Sequence, residues 1–421
     1  MNAGTAGRGR AWAGGIAGAV AAVGVALSGT GFSNGDAAAY AAQGWAGDWL
    51  QRPIHLPWVG LAVVLAPLTD AALPQAMDIA NALLAGLWVW WCAGWAHARG
   101  GAAWVAALGA AAAVLPWAPF AEVDLGWACA SIAALAATER GAAVAVAVAV
   151  ACSPTALLAT PWIAVARGER ADRPGVDARP VVIGATVAVV GLLVGTGGGW
   201  WSGHRGVAMA PLPDLLRSAR AWAGLLPVGL LPLAGVATLA PGLPRPPGAA
   251  ALFAACALLA APADVPAHLP LAGTLAVAAS VGWRRLPTSG RALAGVVVAA
   301  QLLSAGLTLA FRVASVREQE RVLARLVAQL GPDDAVIAPF TWGARLSVRA
   351  TRDPYGLRWR PAAGPLRDQA VRWCASPVEQ VAVLPPGARW GAGSADADGV
   401  WWTRGADPAV AVWCDPGGEK R

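Results

Sequence analysis

Asp36 is an acid at a point in the sequence where chemistry at a membrane surface is possible. It lies in the segment GDAAAY (residues 35–40), just after an uncharged apolar run of 21 residues (11–31). A helix of about 20 residues crosses a bilayer, so Asp36 is expected to emerge at the membrane surface, where its carboxylate can accept a proton or a hydrogen bond. The alternative is a solvated loop acid or a helix N-cap, for which Asp is a preferred residue.

The composition predicts a polytopic membrane protein. Of the 421 residues, 57% are hydrophobic and 13% are charged, so most of the chain has to face lipid or pack within a membrane bundle. A signal peptide is the alternative for residues 11–31, but this run is longer than a usual signal core and the later chain returns to the membrane repeatedly. In a soluble chain the net charge of +7 would suggest a nucleic-acid partner. Here the arginines are dispersed between apolar runs, where they set the membrane topology, so no nucleic-acid partner is predicted.

Eleven membrane spans are predicted when arginine is kept on the cytoplasmic side. The N-terminus is then cytoplasmic and the C-terminus lies outside. Twelve arginines fall in cytoplasmic segments, against four in the outer loops before the tail: Arg52, Arg205, Arg217 and Arg220. The predicted spans are 11–31, 78–97, 101–116, 125–138, 141–152, 155–166, 181–197, 221–240, 248–263, 269–283 and 291–311.

Two assignments determine on which side of the membrane each predicted loop lies. Residues 56–68 contain Pro57 and Pro67, and we interpret them as an interfacial or re-entrant segment, because a span here would place Arg99 outside. The run 141–166 is interrupted by Ser153-Pro154, so two short or partial spans are predicted in place of one.

The predicted topology gathers acids and imidazoles on the outer side. Such groups are costly at the ends of membrane helices unless they face water or each other, so their collection on one face indicates a site there. The alternative is a set of ordinary polar loop residues. The outer group consists of Asp36, Asp48, His55, Glu122, Asp124, His204, Asp214, Asp264 and His268.

Residues 312–421 have the composition of a small soluble α/β domain. An amphipathic helix is predicted from Arg317 onward, and Cys374 and Cys414 could pair in an oxidising compartment. Short runs separated by Pro, Gly and Asp predict strands at 335–340, 344–351, 380–384, 399–403 and 409–413. The predicted domains are therefore 1–311 in the membrane and 312–421 outside it.

The order of features along the first 170 residues resembles the GT-C superfamily of membrane glycosyltransferases, and is most similar to its protein O-mannosyltransferase-like branch. The resemblance rests on an acidic first outer loop followed by a His- and Pro-containing segment (35–68), and on "LPWAPFAEVDLGWACASIAALAA" and "AVACSPTALLATPWIAVARG". It implies a helical membrane bundle of the GT-C type. One departure is that residues 37–39 are alanines, where family members often carry a second acid.

The resemblance implies transfer of a sugar from a polyprenyl-phosphate donor to an acceptor hydroxyl on the outer face of the membrane. Asp36 is then the candidate base that takes the hydroxyl proton. Arg205 with His204, or Arg52 with His55, would stabilise the charge of the leaving lipid phosphate. Glu122 and Asp124 would orient sugar hydroxyls or hold a divalent cation, the alternative being a solvated loop pair.

Two other classes of function remain open. A transporter of lipids or solutes would have a similar number of spans, but the sequence shows no internal repeat and no charge in the middle of a span, where coupling sites usually lie. A non-catalytic scaffold or assembly subunit is compatible with the alanines at 37–39. The sequence identifies neither the sugar nor the acceptor.

Overall fold

The structure is a computed structural model that describes residues 18–19, 55–69, 73–118, 125–168, 176–197 and 269–327, together with six strands between residues 335 and 413. The described helical residues up to Phe311 pack into one unit, and the described residues from Arg312 onward belong to a second.

The described part of the first unit is helical. Its segments are rich in Ala, Leu and Val, and a helix satisfies every backbone polar group within the segment, as a membrane requires. The helices are α1 (Leu56–Leu65), α2 (Leu73–Ala98), α3 (Ala103–Val114), α4 (Leu125–Ala136), α5 (Glu139–Cys152), α6 (Thr155–Gly168), α7 (Ala178–Gly195), α8 (Leu269–Arg285) and α9 (Thr288–Val327), with a 3-10 turn at Ala66–Thr69.

Three of the described helices are long and apolar enough to cross a membrane: Gln75–Ala98, Ala178–Gly195 and Thr288–Arg317. Shorter apolar helices are found at Leu56–Leu68, Ala103–Val114 and Leu125–Leu135. This is a membrane protein. The predicted spans 221–240 and 248–263 lie outside the described residues, as does nearly all of 11–31, so the count of eleven stays a prediction.

Helix α1 is too short to span a bilayer. Its ten residues extend about 15 Å at 1.5 Å per residue, roughly half of the hydrocarbon thickness of about 30 Å. This length fits the partial segment predicted for 56–68.

The predicted interruption in 141–166 is confirmed. Helix α5 ends at Cys152 and α6 begins at Thr155, because Pro154 has no N–H to continue the helical ladder. Cys92, Cys129 and Cys152 are buried free thiols, as expected for cysteines that act as small apolar side chains.

Helix α9 differs from the prediction. A span over 291–311 and a separate amphipathic helix from Arg317 were expected, whereas one helix of 40 residues runs from Thr288 to Val327. The composition changes from apolar to charged near residue 312. Residues 312–316 contain neither Gly nor Pro, so no residue there breaks the helical backbone and the helix continues.

Large aromatic and small residues together form the core of the helical unit. Trp88, Trp127 and Trp162 are fully buried, and they are surrounded by alanines from several helices. Glycine permits close approach at two helix contacts: a Cβ on Gly184 would lie 2.2 Å from the carbonyl oxygen of Ala143, and one on Gly18 would lie 2.6 Å from that of Gly86. Small residues at contacts are typical of membrane helix packing.

The described strands of the second unit form one six-stranded sheet. They are β1 (Ala335–Ala338), β2 (Arg358–Pro361), β3 (Val381–Leu384), β4 (Gly393–Ala395), β5 (Val400–Thr403) and β6 (Val410–Trp413), in the order β2-β1-β3-β6-β5-β4. The β1–β2 pair is parallel and the remaining pairs are antiparallel. Strands β1, β3, β5 and β6 fall on predicted runs; β2 and β4 were not predicted. A separate soluble α/β domain stays a prediction, and Cys374 and Cys414 lie outside the described residues.

Candidate functional site

Hydrogen bonds between helices define two ends of the described bundle. At the arginine end, the last turns of α2, α4 and α6 meet the start of α7 through Arg99 and Arg167. At the opposite end, the starts of α1 and α2 meet the residues that follow α3 and end α5. The start of α4 packs against α1 and α5 there at Gly126. The structure therefore gives α2 to α6 the alternating directions that the predicted topology requires.

Arg167 holds the arginine end together. Its buried guanidinium donates to the carbonyl oxygens of Ala134 and Ala137, the latter at 2.9 Å, and pairs with the Asp177 carboxylate at 3.1 Å. Carbonyls in the last turn of a helix have no partner within the helix, so one guanidinium satisfies the end of α4 and joins it to the start of α7. Arg99 does the same for the carbonyl oxygen of Ala166.

Asn81 is the centre of the opposite end. Its fully buried side chain accepts a hydrogen bond from Trp58 Nε1 at 2.7 Å and donates one from Nδ2 to the carbonyl oxygen of Ala118 at 3.1 Å. A buried amide is costly unless its polar atoms have partners. These contacts satisfy it and link α1, α2 and the segment after α3. We call Trp58, Asn81 and the Ala118 carbonyl the Asn81 cluster.

His55 is the one sequence-predicted site residue that the structure describes. It is buried, its N–H donates to the Cys152 carbonyl oxygen at 2.9 Å, and its own carbonyl accepts from Val59 at 2.9 Å. Its φ of 56° is left-handed, a conformation that is uncommon outside glycine and that recurs at functional sites. His55 therefore directs the chain into α1 against the end of α5.

Gly126, near the start of α4, allows close packing of α4 against α1 and against the end of α5. A Cβ at this position would lie 3.1 Å from Cys152 Sγ and 3.3 Å from Trp58 Cβ. Both distances are tighter than ordinary contacts, so the glycine lets α4 approach α1 and α5 at this depth without displacing either neighbour. Helices α1, α4 and α5 are thus closely packed at the end that carries His55 and the Asn81 cluster.

Asp78 is a residue of this end that the sequence analysis did not select. It lies on α2 three residues before Asn81, and its Oδ1 is buried without a hydrogen-bond partner in the described structure. The signal in the sequence is an acid inside the apolar segment "AMDIANALL", which was interpreted as the start of a span.

The other six candidate site residues lie outside the described residues: Asp36, Arg52, Glu122, Asp124, His204 and Arg205. Their roles stay predictions. Within the described ranges, no three His, Cys, Asp or Glu side chains gather in a way that could hold a metal ion.

Among solved structures, the chain is similar to ArnT from Cupriavidus metallidurans, in a crystal structure bound to undecaprenyl phosphate. The TM-score is 0.56 at 16% sequence identity, covering 81% of this chain and 85% of that chain. ArnT is a GT-C glycosyltransferase. The chain has the GT-C fold. No protein-family model and no curated protein matches the sequence.

The GT-C fold confirms the architecture that the sequence resemblance implied for the membrane bundle. The comparison does not support the protein O-mannosyltransferase-like specificity, because a likeness at this identity concerns the fold alone. We call the end that carries His55 and the Asn81 cluster the His55 end. It is the part of the described bundle that combines buried polar groups, a left-handed residue other than glycine and an acid without a hydrogen-bond partner at Oδ1.

Proposed function

We propose that this protein is a membrane glycosyltransferase that moves a sugar from a polyprenyl-phosphate donor to an acceptor hydroxyl on the outer face of the membrane. The observation that carries the proposal is the fold shared with ArnT over most of both chains, ArnT having been crystallised with undecaprenyl phosphate. The polar groups at the His55 end support it.

The proposed reaction exchanges one bond to the anomeric carbon for another. The acceptor oxygen attacks that carbon, its proton passes to the Asp36 carboxylate, and the bond between the carbon and the phosphate oxygen breaks. The polyprenyl phosphate leaves with the bonding electrons, and a cation near that phosphate stabilises its charge. We assign this role to Arg205 with His204, and Arg52 with His55 is the alternative pair.

The proposed orientation places the arginine end in the cytoplasm and the His55 end outside, in the inner or plasma membrane. Arginine is retained on the cytoplasmic side of membrane proteins, and Arg99 and Arg167 lie together at one end. We propose that residues 312–421 form an extracytoplasmic domain that shapes access of the acceptor, and that Glu122 and Asp124 orient sugar hydroxyls or hold a divalent cation.

The experiment uses the full chain in lipid nanodiscs with a panel of polyprenyl-phosphate sugars and measures release of polyprenyl phosphate. Asp36→Asn keeps the size of the side chain and removes its basicity, so turnover is expected to fall about 100-fold or more. Glu139→Gln, which also removes a carboxylate but from an exposed side chain at the arginine end, is the control and should keep the parent rate.

The outcomes separate the alternatives. An Asp36→Asn variant with the parent rate would remove Asp36 from the mechanism and leave the enzyme in place. A parent protein that transfers none of the sugars to a broad acceptor panel would contradict the proposed function and favour the scaffold interpretation. Movement of the lipid across the bilayer without transfer would favour a transporter.

A further inference from the structure

The carboxylate of Asp78 has an oxygen that the described structure leaves without a donor. Oδ1 is buried and has no hydrogen bond in the described structure, although the side chain as a whole is partly exposed. The residues just before it, Ala76 and Met77, are fully buried and apolar. Asp78 is therefore placed between the apolar core and an accessible surface, with one oxygen on the buried side.

A purely structural acid in this position would be expected to have a partner. Asn81, one turn further along the same face of α2, shows the usual arrangement, since both of its polar atoms are bonded. Four other buried side-chain atoms without a hydrogen bond in the described part of the chain belong to neutral groups: Trp88 Nε1, Trp95 Nε1, Ser131 Oγ and Gln301 Nε2. Burying a carboxylate oxygen without a donor costs more than burying these.

The position of Asp78 indicates which donor is missing. It precedes Asn81 on α2, so it lies on the side of the Asn81 cluster towards the start of that helix, at the same end of the bundle as His55. The described structure gives it no ion pair with Lys, Arg or His. A ligand with hydroxyl groups can give a carboxylate charge-assisted hydrogen bonds, which are about twice as strong as those between neutral groups.

We propose that Asp78 is a carbohydrate-binding residue, whose buried oxygen accepts a hydrogen bond from a sugar hydroxyl. The proposal rests on the glycosyl transfer proposed above and adds to it a residue that recognises the sugar. The hydroxyl belongs either to the sugar of the lipid-linked donor or to a glycan acceptor, and the two sources are separated by the experiment.

The test compares the parent protein with Asp78→Leu and Asp78→Asn, as full chains in nanodiscs. One measurement is the affinity for a polyprenyl-phosphate sugar relative to polyprenyl phosphate alone, which isolates the contribution of the sugar. A second is the KM for a glycan acceptor, and a third is the thermal midpoint of the ligand-free protein. Glu139→Gln, an exposed carboxylate at the arginine end, is the control.

Asp78→Leu should weaken the sugar-dependent part of donor binding by about tenfold or more, since a hydrogen bond to a charged group is lost. Binding of polyprenyl phosphate should stay unchanged, and the ligand-free midpoint should stay or rise, because an unpaired buried oxygen is removed. Asp78→Asn keeps an acceptor oxygen and should lose less. Unchanged donor binding with a tenfold higher acceptor KM would assign the hydroxyl to the acceptor.

Two outcomes would overturn the proposal while leaving the transfer reaction in place. One is parent-like donor binding and acceptor KM in both variants, which would mean that Oδ1 meets a structural water. The other is a lower midpoint in Asp78→Leu together with an equal loss of affinity for polyprenyl phosphate with and without its sugar, which would mean a packing role. Failure of the parent itself to bind or transfer any lipid-linked sugar would remove the proposed function and this inference with it.

Discussion

At the scale of single residues, the buried amide of Asn81 links an apolar helix to two neighbouring segments through hydrogen bonds. Replacement by Leu leaves both Trp58 Nε1 and the Ala118 carbonyl without this partner. The free energy of unfolding of Asn81→Leu should fall by roughly 2 kcal/mol, because a buried group that loses its partner costs about 1–3 kcal/mol. Thermal unfolding of the purified protein in detergent measures the loss.

Trp58→Phe removes the same hydrogen bond from the other side and completes a double-variant cycle. If the bond is the main link between α1 and α2, the two losses should be less than additive, with a coupling of about 0.5–3 kcal/mol. Strictly additive losses would contradict a shared contact.

At the scale of elements, Gly184 determines how closely α7 approaches α5. An added Cβ would lie 2.2 Å from the Ala143 carbonyl oxygen, and a backbone atom cannot move away as a flexible side chain can. Gly184→Ala should therefore lower the thermal midpoint by several degrees, since overpacking costs about 1–3 kcal/mol. Gly191 lies on the same helix with open space around its Cβ position, so Gly191→Ala should be neutral or stabilising. Equal midpoints for both variants would show that α7 does not depend on this contact.

Arg167 and Arg179 provide a matched pair of guanidiniums at the arginine end. Arg167 is buried on two carbonyls and Asp177, whereas Arg179 faces Glu139 at 3.7 Å with both side chains exposed. Arg167→Leu should destabilise by roughly 3 kcal/mol, because it leaves helix-end carbonyls and a carboxylate unpaired. Arg179→Leu should change stability by less than about 1 kcal/mol. Urea unfolding of the two variants gives the comparison, and similar losses would mean that Arg167 acts as a surface charge.

At the scale of the whole molecule, local chemistry explains which features the sequence could predict. The interruption before Thr155 follows from one proline, and the arginine end follows from the restriction of arginine to one side of a membrane. Both properties are local in sequence. The GT-C type does not follow from these two features; it was implied by the resemblance of the first 170 residues to that superfamily, which rests on the order of several motifs.

The features that were missed depend on tertiary contacts or on backbone continuity. Helix α9 continues past residue 311 because helix propagation depends on the backbone, and a change from apolar to polar side chains does not stop it. Asp78 resembles an ordinary span boundary in the sequence. The role proposed for it comes from an oxygen that finds no donor among the described residues, and the partners of a side chain on α2 are decided by helices that are distant in sequence.

The orientation of the whole protein can be tested with single cysteines in a cysteine-free full chain. Arg140→Cys and Arg170→Cys mark the predicted cytoplasmic loops that follow the spans 125–138 and 155–166, and Trp342→Cys marks the predicted outer domain 312–421. In intact cells, a membrane-impermeant maleimide should label position 342 alone, and positions 140 and 170 should react only after permeabilisation. The reason is the twelve-to-four distribution of arginine. Labelling of 140 and 170 from outside, with 342 protected, would invert the topology, place Asp36 in the cytoplasm and contradict transfer on the outer face.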